Sequence, residues 1–237
     1  MGEGEIHIWR LNLDLNDDLL MFFEKKLSKD EIHKADQFYF NRDRNRFIAS
    51  HGWLREILGQ YVQMEPERLL FSYNIFGKPS LENVPGEHCL HFNLSHSREI
   101  GLLALCLDRR IGVDVEYIRP DLDEVLIAQR FFSTYEVTTL LTLPNHLKKE
   151  AFFNCWTRKE AYIKARGEGL NFSLDRVIVT LIPGEAAIIL SVLSDSDEAS
   201  RWSLLHIDPE PGYVAAVAVE GKLSRIRYLL GDDSSEK

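Results

Sequence analysis

The stretch CLHFNLSHSREIGLLALCLDRRIGVDVEY, residues 89–117, decides the fold. Leu90, Phe92 and Leu94 alternate with His91, Asn93 and Ser95, the period-two pattern of a strand with one apolar and one polar face. Ile100 to Leu107 is a run apolar enough to be buried on both faces. After Asp108-Arg109-Arg110 a second alternating stretch, Ile111 to Tyr117, begins, and these last two runs predict a hairpin.

Upstream, Ile6 to Leu13 reads as a strand, and Ser28-Lys29-Asp30-Glu31 is a capping box that opens a helix. A longer helix is predicted from about Arg42 to Tyr61, with Phe47, Leu54, Ile57, Leu58 and Tyr61 inward and Arg42, Arg46 and Arg55 outward. Gly77-Lys78-Pro79 marks a turn. Downstream, Pro120 ends the sheet region, Ser133-Thr134-Tyr135-Glu136 is a second capping box, and Pro144 breaks the helical block. A helix from about His146 to Arg166 is stopped by Gly167 and Gly169. Strands are expected at Arg176–Leu181, Ala186–Val192, Trp202–Ile207 and Tyr213–Val219, and a frayed tail from Gly231 to Lys237. Helices and strands mix without regular β-α-β alternation, so the fold class is α+β.

The 237 residues suffice for one large domain or two small ones, and 45% hydrophobic with 27% charged residues is a folded composition. A net charge of −9 opposes nonspecific grip on nucleic acid or an anionic membrane. Three cysteines without C-x-x-C spacing predict neither a disulfide framework nor structural zinc, and the acidic start MGEGEIHIWR is unlike a signal peptide. The expectation is a cytoplasmic protein.

Four constellations carry chemistry. In Gly112-Val113-Asp114-Val115-Glu116, alternation puts Asp114 and Glu116 on one face about 6.5 to 7 Å apart, where they suit one hard divalent cation or simply a solvated face; Gly112 leaves room for a ligand to approach. Phe153, Trp156, Glu160 and Ile163 form a helical stripe with a carboxylate in it, which either pairs with Lys164 or joins Asp114 and Glu116 around magnesium, leaving Lys164 for a phosphate. Ser95 and His96 stand at a strand end and suit a phosphate or ribose. Lys34, Arg42, Arg44, Arg46, Lys78, Arg158, Lys159, Lys164 and Arg166 are either solvated helix faces or, around a metal, a setting for a nucleotide pyrophosphate. A magnesium-dependent phosphohydrolase and a non-catalytic binding module use the same groups.

Five blocks in order resemble the Sfp-type 4′-phosphopantetheinyl transferases: Gly77-Lys78-Pro79; Phe92 to Ser97; Gly112 to Glu116; Arg130-Phe131-Phe132-Ser133 with Glu136; and Trp156 to Leu170. The resemblance implies a pseudo-dimer of two similar α+β halves, residues 1–109 and 110–237, with the active site in the cleft between them. It implies transfer of the 4′-phosphopantetheine arm of coenzyme A to a serine of an apo acyl or peptidyl carrier protein, with release of adenosine 3′,5′-bisphosphate and Mg2+ as cofactor. A monomer acting on neither nucleic acid nor membrane is expected. Position by position, Asp114, Glu116 and Glu160 match metal ligands, Lys164 matches the lysine at the pyrophosphate, and Ser95, His96, Lys34, Arg42, Lys78 and Asp114 match donor contacts. Glu160 and Lys164 are the catalytic pair, Glu160 as base. Glu31 stands where a basic residue is often found, and Phe47 replaces a small hydroxyl residue. Carriers of this class are commonly acidic, so docking is expected on local apolar contacts around Thr138–Leu147, with Leu140, Leu141 and Leu143 presented beside a rim of Lys148, Lys149 and Arg158.

Overall fold

Two sheets packed face to face form the centre of the computed structural model, which describes residues 1–2, 4–82, 84, 88–169, 172–193 and 195–231. In chain order the elements are β1 (Glu5–Asn12), α1 (Asp17–Glu24), α2 (Lys29–Ala35), α3 (Asn41–Val62), β2 (Phe71–Tyr73), β3 (Pro79–Leu81), β4 (Leu90–Ser97), β5 (Ile100–Leu107) and β6 (Ile111–Tyr117). There follow α4 (Glu124–Phe131), α5 (Thr134–Thr142), α6 (Asn145–Arg166), β7 (Val177–Val179), β8 (Ile189–Val192), β9 (Trp202–Ile207), β10 (Tyr213–Glu220) and β11 (Arg225–Gly231). The mixture is α+β, as its irregular alternation predicts.

The first sheet has the order β11-β1-β5-β4 and the second β6-β10-β9. The apolar run of β5 explains the layering. Leu103 and Leu105 face α3 with Ile48, Leu58 and Phe92, whereas Ile100, Leu102, Ala104 and Cys106 face the second sheet. β10 repeats the device: Ala215, Val217 and Val219 meet the first sheet, and Val214, Ala216 and Ala218 lie under α6. Strands covered on both faces are apolar without interruption because neither face meets water.

The expected hairpin of Ile100–Leu107 with Ile111–Tyr117 does not form. β5 pairs with β1 and β4, while β6 pairs with β10 in the other sheet. The hairpin is β4–β5, closed by Arg98 and Glu99 with Arg98 at φ 53°. Alternation reports which faces are buried, and it carries no information about which strand supplies the partner. Gly231 likewise belongs to a strand: β11 runs parallel to β1 from Glu5 opposite Arg225 to Leu11 opposite Gly231. Residues 232–237 of the expected tail lie outside the described residues.

Buried polar groups hold the helices. Arg55, expected on the outer face of α3, is 2% exposed and donates to Glu31 at 2.7 Å and to the carbonyls of Pro66 and Leu69. Glu136 closes its capping box and also pairs with Lys159 at 2.7 Å, both side chains wholly buried, while Lys159 donates to the carbonyls of Leu174 and Val177. Breaking such a pair costs about 3 to 5 kcal/mol because the survivor stays buried and charged.

Acid sensitivity follows from the histidines. Burial is the first cause lowering His7, His51 and His91, and it takes His51 down to about 4, with Glu31 opposing and His96 and Lys34 reinforcing. At these imidazoles the unfolded chain binds protons more readily than the folded one between about pH 6.5 and 4, so their contribution to stability is full above 6.5 and lost as pH falls toward 4. Urea denaturation at pH 7 and pH 4.5 should show that loss, with His51 alone contributing at most about 3 kcal/mol. His51→Gln should flatten the profile.

Candidate active site

β6 turns Ile111, Val113 and Val115 into the core between the sheets, and Gly112, Asp114 and Glu116 toward α6. Alternation alone requires this division. Gly112 marks the closest approach. A Cβ there would stand 2.1 Å from the Ala161 carbonyl oxygen and 2.4 Å from the Ala165 nitrogen, so the helix backbone fills the room expected for a ligand. Ala161 and Ala165 on the facing side of α6 complete the contact.

That contact sets Lys164 beside Asp114. The Lys164 ammonium donates to Asp114 Oδ1 at 2.5 Å and to Ser95 Oγ at 2.9 Å, and the Ser95 hydroxyl donates to the same Oδ1 at 3.1 Å. Side chains of β4, β6 and α6, and hence of both sheets, meet in one cluster. Asp114 is 4% exposed, and its Oδ2 is buried without a hydrogen-bond partner. Burial raises the Asp114 carboxyl above its usual range against the pull of Lys164 and Ser95. Glu116 and Glu160 are also raised, first by burial and then by the negative charge of Asp114. Asp114 thus raises both glutamates, and Glu116 adds to the effect on Glu160, while among the described residues Lys164 is paired with Asp114 alone.

The stripe of α6 differs from its expected composition. Phe153 and Ile163 are in the core, and the half-buried line is Trp156, Glu160 and Lys164, each four residues from the last. Between Ala151 and Ala165 every other residue of α6 is buried, so the accessible groups of that stretch are confined to this line. Lys164 bonds to Asp114 rather than to Glu160, and among the described residues Glu160 makes neither an ion pair nor a hydrogen bond. The helix ends at Gly167, φ 73°; Leu170, the last residue of the matched block, lies outside the described residues.

The other expected donor contacts are distributed unevenly. His96 is exposed on β4, its imidazole lowered by desolvation and then by Lys164 and Arg46. Lys34 is exposed at a cavity of about 500 Å³ lined also by Glu31, His51, Arg55 and Tyr73. Arg42 lies on the surface beside Asp43 at 3.5 Å. Lys78 takes no part in the cluster: its ammonium donates to the carbonyls of Ile111, Lys164 and Ala165, tying the end of α6 to β6, and burial pushes it down to about 8. Arg158, Lys159 and Arg166 are likewise engaged, with Thr180, Glu136 and Glu198 respectively, and Arg44 and Arg46 with Glu24 and Asp14. Glu31 is buried by its capping box and Arg55, and Phe47 stacks on His51 at 3.9 Å.

Ser97 is the residue whose role the sequence reading passed over. Its hydroxyl donates to Glu116 Oε2 at 3.0 Å, continuing the row of Asn93 and Ser95 on one face of β4. The alternation of that row was the available signal.

A magnesium ion fits the chemistry of this donor set. Oxygen-only carboxylates suit a hard cation, and the orphaned Asp114 Oδ2 lacks a positive partner. Among the described residues no three His, Cys, Asp or Glu side chains already converge as a metal cage.

Residues 110–218 match the 4′-phosphopantetheinyl transferase superfamily, and residues 16–107 match the N-terminal family of 4′-phosphopantetheinyl transferases. The chain is 42% identical over 217 residues to the 4′-phosphopantetheinyl transferase HetI of Nostoc sp., covering 92% of this chain and 88% of that protein. It is 31% identical over 198 residues to the 4′-phosphopantetheinyl transferase Sfp of Bacillus subtilis, covering 82% and 83%. The L-aminoadipate-semialdehyde dehydrogenase-phosphopantetheinyl transferase of Xenopus laevis is 28% identical over 214 residues, covering 84% and 70%. The chain belongs to the 4′-phosphopantetheinyl transferase superfamily. Among the described residues no helix is long and apolar enough to cross a membrane.

Gly112→Ala tests the packing that assembles the cluster. Its Cβ meets backbone atoms that no side-chain rotation relieves, so the loss of stability should be roughly 3 kcal/mol or more, read as a shifted urea midpoint. A near-wild-type midpoint would place the helix farther from β6.

Proposed function

We propose that this chain transfers the 4′-phosphopantetheine arm of coenzyme A to a serine of an apo acyl or peptidyl carrier protein. The observation that carries the reading is the Lys164–Ser95–Asp114 cluster, which joins both sheets and α6 beside two further carboxylates. The serine oxygen attacks the β-phosphorus of the donor, a phosphodiester bond forms, and the pyrophosphate bond to adenosine 3′,5′-bisphosphate breaks. The serine proton passes to Glu160, the one member of the three carboxylates with no hydrogen bond among the described residues. Lys164 is half-buried with its ammonium between β4 and β6, where it serves the charge developing on the phosphate oxygens. For the donor, Ser95 accepts from Lys164 and His96 is exposed next to it in β4, with Lys34 at the cavity lined by Glu31 and His51 and Arg42 at the surface.

Asp114, Glu116 and Glu160 would hold Mg2+, which when bound neutralises pyrophosphate charge. The two halves, 1–109 and 110–237, are read as a pseudo-dimer with the site in its cleft. The separate sheets support this division, although β11 crosses back to the sheet of the first half. The chain is read as a cytoplasmic monomer without nucleic-acid or membrane partners; its net charge of −9 supports the last point.

Carrier docking needs a revised surface. Leu140 is 0% exposed and belongs to the core, Leu143 packs against it, and Arg158 is buried, so the expected leucine face is not presented as a whole. Leu126, Phe131, Tyr135 and Leu141 are the exposed apolar residues of α4 and α5. Phe131 packs edge-on against Trp156 at 6.2 Å, one helical turn before Glu160, which makes this patch continuous with the proposed site.

Incubating apo carrier protein with coenzyme A and Mg2+ should add the phosphopantetheine mass to the carrier; nucleotide breakdown without mass gain would make the chain a hydrolase. Asp114→Ala and Glu160→Ala should abolish most transfer in folded protein. Lys164→Ala should lower turnover roughly 10²- to 10³-fold with a smaller change in coenzyme A affinity. An unchanged turnover would make Lys164 a binding residue.

For docking, Tyr135→Asp and Leu141→Asp should raise KM for the carrier about tenfold and leave that for coenzyme A unchanged, the scale of losing one interface contact. Leu140→Asp should instead unfold the protein. Unchanged carrier kinetics in both surface variants would move the docking face elsewhere.

A further inference from the structure

β4 and β6 are the facing edges of the two sheets, and side chains rather than a backbone ladder join them. Asn93 Oδ1 accepts from the Val113 N–H at 2.8 Å. Two residues on, the Ser95 hydroxyl meets Asp114; after two more, the Ser97 hydroxyl donates to Glu116 Oε2 at 3.0 Å and accepts from the Tyr117 N–H at 3.1 Å. The period of two in β4 matches the period of two in β6, so one polar row serves successive positions across the seam.

Ser97 differs from Asn93 in what it holds. Asn93 satisfies backbone alone, whereas Ser97 couples backbone to a carboxylate. The fixed Tyr117 N–H occupies the oxygen and turns the hydroxyl proton toward Glu116. Tyr117 is itself held between the Arg98 guanidinium, 3.4 Å from its ring centre, and Tyr213 at 5.2 Å. A glutamate has three rotatable side-chain bonds, and a ligand already held in one arrangement loses less entropy on binding a cation.

We propose that Ser97 is a positioning residue that presents the Glu116 carboxylate to the divalent cation. The inference rests on the assignment of Glu116 as a metal ligand made above. In this role Ser97 acts through Glu116 rather than on the substrate or the cation.

The test is Mn2+ affinity of the full chain, titrated by electron paramagnetic resonance without substrate, together with thermal melts. Ser97→Ala should weaken Mn2+ binding about 10- to 100-fold, the range for lost outer-shell partners, and Ser97→Thr, which keeps the hydroxyl, should restore it. Asn93→Ala should lower Tm while leaving Mn2+ affinity near that of the wild type. Wild-type affinity in Ser97→Ala, or equal weakening by Asn93→Ala, would overturn the proposal and leave Ser97 as seam packing. Should Ser97→Ala not fold, Ser97→Thr and Ser97→Val make the same comparison, since they differ in shape by little more than the hydroxyl. Glu116→Gln separates the two levels: if it too binds Mn2+ like the wild type, the metal assignment falls and the proposal with it, whereas weakened binding confines the failure to Ser97.

Discussion

The approach of α6 to β6 at Gly112 is the constraint on which the site depends. A side chain there would collide with helix backbone, and backbone cannot rotate away. With hydrogen in that place, α6 lies low enough on the second sheet for Lys164 to reach Asp114 and, beyond the sheet edge, Ser95. Lys78 secures the same junction from the end of the helix by donating to carbonyls on both elements. Backbone contact and this buried ammonium, with the Lys159–Glu136 pair and the core under α6, set the position of the helix.

The seam between the sheets imposes a second condition. Two open edges that meet must satisfy their backbone groups, and β4 does so with Asn93 and Ser97 rather than with a ladder. The same row then reaches Asp114 and Glu116. One strand face thus serves both the seam and the candidate site, and among the described residues Lys164 alone forms an ion pair with the carboxylates gathered there. A cluster of this kind is destabilising in isolation, with Lys164 offsetting only part of it. Local rules broken in this cluster make it the candidate functional site.

Conversely, most of the cations that looked available in the sequence are structural. Arg55, Arg158 and Lys159 are buried against carbonyls and acids, and Arg44, Arg46 and Arg166 are paired. A positive side chain on a helix reads the same in sequence whether it faces solvent, a ligand or a buried carboxylate. What distinguishes them is the neighbour, and the neighbours here come from segments far away in the chain, such as Glu198 for Arg166.

Much was legible in the sequence because it is local. Alternation in residues 111–117 put Asp114 and Glu116 on one face, capping boxes at Ser28 and Ser133 opened the two helices they should, and Gly167 stopped α6. These features arise from steric and hydrogen-bonding rules that act within a few residues. Pairing did not follow from them: β5 and β6 went to different sheets, Arg225 to Gly231 became a strand beside β1, and Lys164 bonded to Asp114, fifty residues away, in preference to the glutamate one turn before it. The sequence by itself determined many of the strands and helices and the shared face of Asp114 and Glu116. Only the tertiary structure decided which polar faces meet, because that choice is made by burial summed over whole sheets, and no local pattern encodes the partner.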